Sequence, residues 1–485
     1  MGRDRAVEAG LRRRSARQAR SAAQGSMMSA PDQIDAGWLA GRLAASNARD
    51  LGSGLTRLID GGELSPGAQL PTIREFAKVA GVSPGTVMSA WSRVRDTGRL
   101  ETRRRGGTVV AGVTGPSGRN GSVFEWSHVE MSFVTPDPNL QPDLRAALAS
   151  ALDTEDLHAA QRAYITPRLL RSVQSSWPFA AQAWNCVGGG SEALVLASAA
   201  AVQSEASGAR RLIAVEEPVS PGYLDILRHL GIEPVGVRAD EQGPTVASVA
   251  AALERGVAAL VLQPSGAYAV AGSLTATRAA ELAALLASRA AGTWVIEDDS
   301  AGPLASGEPA TLGDLLPDRV VRIRSYCKAF GIDLRSAVLG GCVELVERTI
   351  RLRSFGMASN SRILQNSLAG LIEDESTTDV MRRARAAYRR RREAVLAAFA
   401  GVGLKASTSR DGFVVWVPVP DETAALINLA RQGIVVASGA KSFINPTAGL
   451  LRISILQLPD DPDLIDGLAH AVRAAIHSAD REYFD

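Results

Sequence analysis

The chain has 485 residues, more than one compact core usually holds, so two or three domains are expected. Hydrophobic residues make up 46% and charged residues 21%, a balance that is typical of globular proteins and argues against wholesale disorder. The formal net charge of +2 excludes no class of partner, so the position of the charges along the chain is more informative.

Cysteine and histidine are sparse, with three and five copies, and neither forms a CxxC pair or an HExxH cluster. A metal enzyme is therefore not expected. The few, odd-numbered cysteines favour a reducing cytosol, so we expect a cytoplasmic protein. No apolar run reaches the roughly 18 to 20 residues that a membrane-spanning helix needs.

Residues 1–32 are predicted to form a basic disordered arm, because the first 25 residues carry seven arginines and almost no acid. The segment lacks the apolar centre of a secretory signal. Three interpretations stay open: an arm that touches DNA phosphates, a transit peptide, or a translation start at Met27 or Met28.

The first folded unit is predicted over residues 33–112. Thr72 is a suitable N-cap for the amphipathic segment IREFAKVA, and Gly81 is expected to end that helix. A second helix, capped by Ser83, is predicted from Pro84 to about Asp96. Its buried face is predicted to consist of Val87, Ala90, Trp91 and Val94. Two short helices joined by a tight turn, with the second exposed, indicate a helix-turn-helix, and RLETRRRGGTVVA then predicts a two-stranded wing.

Residues 71–111 contain eight lysines and arginines but only three acidic residues, and this positive charge suits contact with DNA phosphates. The LPTIREFA, GVSPGTVMSA and RRRGGT segments together resemble the GntR-type winged helix. Two positions depart from that family: a proline follows the serine where arginine is usual, and Arg105 stands where the first wing glycine often lies. The resemblance implies DNA contacts from Arg74, Ser83, Thr86, Arg103, Arg104, Arg105, Gly107 and Thr108.

A Gly/Ser-rich stretch, GVTGPSGRNGS, predicts a linker over residues 113–128. From residue 129 to 485, apolar runs of five or six residues alternate with Ala/Leu-rich helical segments. This alternation indicates a largely parallel sheet covered by helices.

Four features of this larger region suggest a cofactor site. RIRSYCKAFGIDLRS delivers Lys328 after a strand, with Arg335 seven residues later; a lysine that forms an aldimine needs a fixed position and a nearby anion site. TWVIEDDSAG places Asp298 at a strand end, where a carboxylate can keep a pyridine nitrogen protonated. WNCVGGGSEALVLA predicts a strand, a glycine turn and a helix start that would suit a phosphate. Arg452, on the strand GLLRISILQ, could clamp a carboxylate.

Each feature alone occurs in many α/β proteins, but their order and spacing resemble the fold-type I pyridoxal-phosphate aminotransferases across roughly residues 130–480. The combination with a GntR-type winged helix resembles the MocR/GabR transcription regulators. That resemblance implies a multidomain protein: a mostly α-helical winged helix-turn-helix, then an α/β fold-type I domain with a smaller α+β subdomain at about 385–485.

The resemblance also implies partners and residue roles. We expect promoter DNA, pyridoxal 5′-phosphate, a small amino-acid-like effector, and a head-to-tail homodimer. Lys328 would form the internal aldimine and Asp298 would pair with the pyridine nitrogen. Arg452 would hold the effector's carboxylate. The cofactor phosphate would be bound by Gly189, Gly190, Ser191 and Arg335.

Several positions that tune the cofactor in aminotransferases are altered. Ser300 replaces the tyrosine of EDDY, Ser220 stands where an aromatic residue is usual, and the loop 263–272 differs and contains Tyr268. The YITPRLLRS segment lacks its glycine but keeps Tyr164. These changes argue against efficient transamination and are compatible with ligand sensing. Two alternatives stay open: an active aminotransferase, and a cofactor-free regulator whose second domain only dimerises.

Overall fold

In the computed structural model the chain forms two compact units, Met1–Val123 and Phe124–Asp485. The structure describes residues 34–43, 47–60, 63–64, 67–96, 99–103, 107–110, 126–154, 157–161, 163–203, 211–354, 356, 359–446 and 448–477. The predicted basic arm and nearly all of the predicted linker lie outside these residues. Over the described ranges, no helix is long and apolar enough to cross a membrane. The same ranges hold no group of three or more His, Cys, Asp or Glu side chains that could bind a metal ion.

The first unit contains four helices and a two-stranded sheet in its described part. The helices are α1 (Ala36–Arg42), α2 (Ala48–Asp60), α3 (Ile73–Ala80) and α4 (Pro84–Asp96), and the strands are β1 (Leu100–Arg103) and β2 (Gly107–Val110). The two strands pair antiparallel, as expected of a wing.

The predicted helix-turn-helix is confirmed in α3 and α4. Thr72 Oγ1 accepts a hydrogen bond of 3.2 Å from the backbone N–H of Glu75, which caps α3. Gly81 ends the helix in the left-handed conformation, with φ of 67°. Ser83 Oγ accepts a hydrogen bond of 3.1 Å from the N–H of Thr86 and so caps α4.

The apolar face of α4 is buried as predicted. Val87, Ala90, Trp91 and Val94 are all at most 2% exposed. The ring of Trp91 lies 5.1 Å from that of Phe76 on α3, so the two helices share one core. The opposite face of α4 therefore stays open to solvent.

The second unit is built on an eight-stranded sheet and a three-stranded sheet. The strands of the large sheet are β3 (Ala183–Val187), β4 (Leu212–Glu217), β5 (Glu233–Asp240), β6 (Gly243–Pro244), β7 (Ala259–Leu262), β8 (Trp294–Asp299), β9 (Val320–Ser325) and β10 (Ala337–Gly341). The small sheet consists of β11 (Val414–Val419), β12 (Ala437–Ser438) and β13 (Gly449–Ser454).

The helices of this unit are α5 (Arg145–Leu152), α6 (Pro167–Gln174), α7 (Gly190–Ala201), α8 (Pro221–His229), α9 (Val246–Glu254), α10 (Ala276–Arg289), α11 (Cys327–Phe330), α12 (Val343–Arg353), α13 (Arg362–Glu373), α14 (Glu375–Gly401), α15 (Glu422–Ala430) and α16 (Pro462–His477). The predicted start of the smaller subdomain, near residue 385, falls inside α14, a continuous helix of 27 residues.

The large sheet has the order β3-β10-β9-β8-β7-β4-β5-β6. Its central strands β9, β8, β7, β4 and β5 are parallel, whereas β10, β3 and β6 pair antiparallel. Along β4, Leu212 and Ala214 join one hydrophobic cluster while Ile213 and Val215 join another. Since successive side chains of a strand point to opposite faces, the sheet is packed on both sides, as a parallel sheet requires. Functional side chains are therefore expected at the carboxyl ends of its strands.

Candidate functional site

A cavity of about 580 Å³ is lined by residues from the carboxyl ends of the parallel strands and from the turn after β3. All the predicted cofactor residues lie on its wall: Gly189, Gly190, Ser191, Asp298, Lys328 and Arg335. They come from four separate chain segments, and β8 and β9 are adjacent parallel strands. The strand order therefore gathers residues that are up to 146 positions apart in the sequence.

Lys328 lies on α11, a single helical turn, and not at the end of β9 itself, which stops at Ser325. Its Nζ is 5.6 Å from the centre of the Phe413 ring and 6.0 Å from that of Tyr268. The residue is half-buried, and its ammonium group lies near two aromatic rings. A lysine in a partly desolvated position can act as a nucleophile.

Asp298 is 6% exposed on β8 and accepts a 2.6 Å hydrogen bond at Oδ1 from Ser300 Oγ. Burial raises the pKa of this carboxyl group, while the Ser300 hydrogen bond and the charge of Lys328 oppose that rise. Among the described residues no donor reaches Oδ2. One carboxylate oxygen thus remains available to a protonated ring nitrogen in the cavity.

The next residue, Asp299, has a structural role. It is held by Arg322 at 3.3 Å and by Arg324 at 2.9 Å, both from β9. Burial alone would raise the pKa of Asp299, but the two guanidinium groups outweigh it and lower the pKa. Because adjacent residues of a strand face opposite ways, this ion pair anchors β8 to β9 while leaving Asp298 to the cavity.

The glycine turn and Arg335 meet at one end of the cavity. Gly189 has φ of 131°, and a Cβ there would lie 3.8 Å from Arg335 Cζ. A Cβ on Gly190 would lie 3.0 Å from Ser325 Cβ, so a side chain at this position would crowd Ser325. The turn leads directly into α7, whose first N–H groups and positive dipole end suit an anion.

Among the residues that line the cavity, Glu192, in the first turn of α7, is the one acidic residue at the end formed by the glycine turn. It accepts a 2.7 Å hydrogen bond from the N–H of Gly188 and forms a 3.0 Å ion pair with Arg353. Its charge is therefore neutralised within the protein. Together, the lysine, the free carboxylate oxygen and the arginine with its glycine turn form a donor set that fits pyridoxal phosphate.

Tyr223 is a cavity residue that the sequence reasoning missed. It lies on α8, three residues after Ser220, and its hydroxyl is 2.7 Å from Ser198 Oγ. Burial raises the pKa of Tyr223, and the nearby charge of Asp298 adds to that rise. The sequence feature that could have revealed Tyr223 is its place in the first turn of a helix that directly follows a strand of the parallel sheet.

The altered loop 263–272 brings Tyr268 to the cavity wall. The N–H of Tyr268 donates to Gln263 Oε1 at 3.2 Å, and its carbonyl accepts from Trp416 Nε1 at 3.0 Å. Ser409 Oγ donates to the carbonyl of Gly266 at 2.6 Å. The loop is therefore held in place by the smaller sheet and the segment before it.

Arg452 does not line the cavity, although it lies on β13 and is only 8% exposed. Its Nη2 donates to the carbonyl of Ser132 at 2.9 Å, and no acidic side chain of the described residues pairs with it. Burial lowers the pKa of Arg452, with Tyr268 as the opposing influence. A buried arginine without a carboxylate partner has unused donors for a ligand.

The residues expected to contact DNA are only partly described. Arg74 is exposed on α3, and Gly107 and Thr108 begin β2. Ser83 Oγ and Thr86 Oγ1 lie 2.8 Å apart, so these two hydroxyls already serve the cap of α4. Arg103 is the last residue of β1, but its side chain is not described. Arg104 and Arg105 lie outside the described residues.

Met88, on the outer face of α4, is a second residue that the sequence reasoning missed. It is 60% exposed, which is unusual for so large an apolar side chain. In a helix-turn-helix such a side chain can contact a thymine methyl group in the major groove.

Two family profiles match the chain. Residues 131–466 match aminotransferase class I and II, and residues 47–110 match the gntR family of bacterial regulatory proteins. The two matches coincide with the two kinds of site described above.

Two similar proteins of known name are transcription regulators. The vitamin B6 salvage pathway transcriptional repressor PtsJ of Salmonella typhimurium is 27% identical over 436 residues, which are 89% of this chain and 98% of that protein. The pyridoxine biosynthesis transcriptional regulator PdxR of Corynebacterium glutamicum is 28% identical over 361 residues, 70% of this chain and 76% of that protein.

Among solved structures, α-aminoadipate aminotransferase LysN of Thermus thermophilus superposes with a TM-score of 0.63 at 19% identity. The match covers 72% of this chain and 91% of LysN. At this level of identity it establishes the aminotransferase fold of the larger unit.

Proposed function

We propose, from the premise that this chain belongs to the aminotransferase class I and II family and carries a gntR-family domain ahead of it, that it is a pyridoxal-phosphate-sensing transcription regulator. The gntR-family domain would bind promoter DNA. The aminotransferase-like domain would bind the cofactor, form the homodimer and respond to an amino compound with a carboxylate. Since PtsJ and PdxR are named as regulators of vitamin B6 salvage and pyridoxine biosynthesis, genes of vitamin B6 metabolism are the first targets to test.

The observation that carries this proposal is the convergence on one cavity of a lysine, a carboxylate with a free oxygen, and an arginine beside a glycine turn. Each group also matches a different part of pyridoxal phosphate: its aldehyde, its ring nitrogen and its phosphate.

The residues would divide the work of holding the cofactor. When bound, pyridoxal phosphate supplies a reactive carbonyl carbon and an electron-withdrawing ring. Lys328 would attach to it covalently through Nζ. Asp298 would hold a proton on the ring nitrogen, and Arg335 with the start of α7 would bind the phosphate. Arg452 does not line the cavity itself, but it lies close enough to Tyr268 of the cavity wall to feel its charge, and it would bind the carboxylate of an incoming amino compound.

One observation favours a second candidate function, a residual aminotransferase activity. The phenol of Tyr223 lines the cavity near Asp298, so a hydroxyl is present even though Ser300 replaces the expected tyrosine. A phenol near the cofactor can stabilise developing negative charge. Amino transfer from a panel of common amino acids to a keto acid would support this candidate, and absence of turnover would exclude it.

The main proposal is tested on the purified chain by absorbance, borohydride reduction and peptide mapping. We expect a visible band on adding pyridoxal phosphate, and after reduction a modification at Lys328. The Lys328→Ala variant should lose both, whereas Lys441→Ala, an exposed lysine elsewhere in the unit, should keep both. No band and no modification at Lys328 would reject the cofactor site and leave a regulator that uses this domain only to dimerise.

The regulatory half of the proposal is tested by measuring binding to promoter DNA with and without pyridoxal phosphate. A change in DNA affinity with the wild type, lost in Lys328→Ala, is the expected result. Equal DNA affinities of the wild type and Lys328→Ala, each with and without pyridoxal phosphate, would show that the cofactor does not affect DNA binding. Light scattering of the same samples would establish whether the chain is a dimer.

A further inference from the structure

A second cavity, of about 380 Å³, lies along α14 and is lined by arginines. Its charged residues are Arg382, Arg385, Arg389, Arg392 and Arg410, with Asp411 as the single carboxylate. None of these residues has a part in the cofactor site or in the proposed DNA contacts.

Four of the five arginines follow the period of the helix. Arg382, Arg385, Arg389 and Arg392 are spaced by three, four and three residues, which places them on one face of α14. Over ten residues this row extends for about 15 Å along the helix axis. Like charges at such spacings repel one another and destabilise a helix.

Two other arginines of the same helix, Arg390 and Arg391, are paired with carboxylates. Arg391 pairs with Asp137 at 2.7 Å and with Asp460 at 3.4 Å, and Arg390 pairs with Asp460 at 3.5 Å. In the row that faces the cavity, Arg382 pairs with Asp379 at the surface. Arg385 donates only to the carbonyl of Pro303, and Arg389 has no ion pair or hydrogen bond within the described part of the chain.

Asp411 is one carboxylate among five arginines, so it offsets only part of this charge. It accepts hydrogen bonds from the N–H of Ser306 at 3.0 Å and from Ser306 Oγ at 3.1 Å, and Arg410 Nε lies 3.7 Å away. One buried carboxylate thus faces several guanidinium groups.

Arg392 is the deepest of these arginines, only 9% exposed. Its single hydrogen bond within the described residues runs from Nη1 to the carbonyl of Gly412, at 3.2 Å. Burial lowers the pKa of Arg392; the charges of Asp411 and Glu393 oppose this fall, and those of Arg389 and Arg410 add to it. A buried cation with unused donors and cationic neighbours, offset by only two nearby carboxylates, would be stabilised by a further anion.

The cavity also has an apolar side. Leu304 and Phe413, at 6% and 2% exposure, contribute to its wall. A ligand could therefore place an organic portion against them while its charged groups reach the arginine row.

We propose that this arginine-lined cavity binds an organic anion that carries two or more phosphoryl groups. Guanidinium groups match phosphate oxygens in a two-point geometry, and a row of about 15 Å calls for more than one anionic group. A small ligand fits better than a DNA backbone, because Arg392 lies inside a cavity while a polymer contacts exposed side chains. The proposal does not depend on pyridoxal phosphate binding or on DNA binding.

The test is calorimetric and thermal titration of the full chain with inorganic pyrophosphate and with ADP. We expect saturable binding of both and a rise in Tm, because a ligand that binds only the folded state stabilises it. Arg389→Ala should weaken binding by about tenfold, since it removes a charge-assisted contact. The matched control is Arg383→Ala, which removes the same charge from an exposed position of α14 outside the cavity and should change affinity little.

Three results would overturn the proposal. One is the absence of binding by either probe at millimolar concentration. The second is an equal loss in Arg389→Ala and Arg383→Ala, which would indicate general charge screening along the helix. The third is a loss in Arg335→Ala but not in Arg389→Ala, which would assign the probes to the phosphate end of the other cavity.

Discussion

Ser300 Oγ donates a 2.6 Å hydrogen bond to Oδ1 of Asp298, and both side chains are buried where β8 reaches the cofactor cavity. In the aminotransferases that the chain resembles, a tyrosine follows the aspartate at this point. Here the serine stabilises the ionised carboxylate, because its hydroxyl opposes the rise in the pKa of Asp298 that burial causes.

Ser300→Ala should weaken pyridoxal phosphate binding by about tenfold, the effect of one charge-assisted hydrogen bond. The pKa of Asp298 would rise further. As the pH is lowered, the carboxylate that pairs with the ring nitrogen would therefore become protonated at a higher pH than in the wild type. In the wild type, affinity should fall as the pH is lowered, and in the variant this fall should begin at a higher pH. Absorbance titrations across a pH series measure both effects.

Ser288→Ala is the control for this experiment, since Ser288 is an exposed residue of α10 whose hydroxyl donates only to Leu285. Its titration curves should match the wild type. Identical pH profiles for Ser300→Ala and the wild type would show that Ser300 does not act through Asp298.

Glu216→Gln should change how stability depends on pH. Glu216 is 2% exposed, accepts a 2.6 Å hydrogen bond from the N–H of Gln263, and has its pKa raised by burial to about 8. In the unfolded chain the group ionises near pH 4.5, so its contribution to stability is present below that pH and is lost as the pH rises through about 8.

Between these two pKa values the wild type should lose about 1.4 kcal/mol of unfolding free energy per pH unit from this group. Glu216→Gln keeps the shape but does not ionise, so its stability should decline less between neutral pH and about pH 8. Urea unfolding at several pH values gives the comparison. Parallel curves for the two proteins would contradict the role assigned to Glu216.

Arg74→Ala should weaken binding to every DNA sequence and should reduce the slope of log affinity against log salt by about 1. The reason is that a phosphate contact is blind to sequence and releases about one counterion. Fluorescence anisotropy over a salt series measures the slope. Arg57→Ala, an exposed arginine of α2, is the control, and an unchanged slope in Arg74→Ala would remove this residue from the DNA interface.

Arg452→Lys should weaken binding of an amino-acid effector by about tenfold, because lysine cannot make the two-point contact with a carboxylate. Binding of the matching amine without a carboxylate should not change. The comparison can be made by following the visible band during titration of the cofactor-loaded protein. Equal losses for both ligands would indicate that Arg452 acts on the fold of β13 and not on the effector.

Some features of the chain follow from the sequence alone because neighbouring residues determine them. The ends of the two helices of the helix-turn-helix are set by Thr72, Gly81 and Ser83, through contacts within three or four residues. The alternation of apolar runs and helical segments likewise indicates a parallel sheet, since strands buried on both faces must be apolar. Lys328, Asp298 and Arg335 could be selected because their spacing follows the family pattern.

Other features were decided only by the tertiary structure. Tyr223 reaches the cavity because α8 packs beside α7, which no local pattern reveals. Arg410 and Asp411 join the arginine row of α14 through a loop of the smaller subdomain. Strand order brings β3 next to β10 and β8 next to β9, and this order depends on long-range pairing and packing. The sequence therefore determines the helices, the strands and the candidate residues through short-range geometry. Which of these residues line the two cavities is decided by contacts between segments that are distant in the chain.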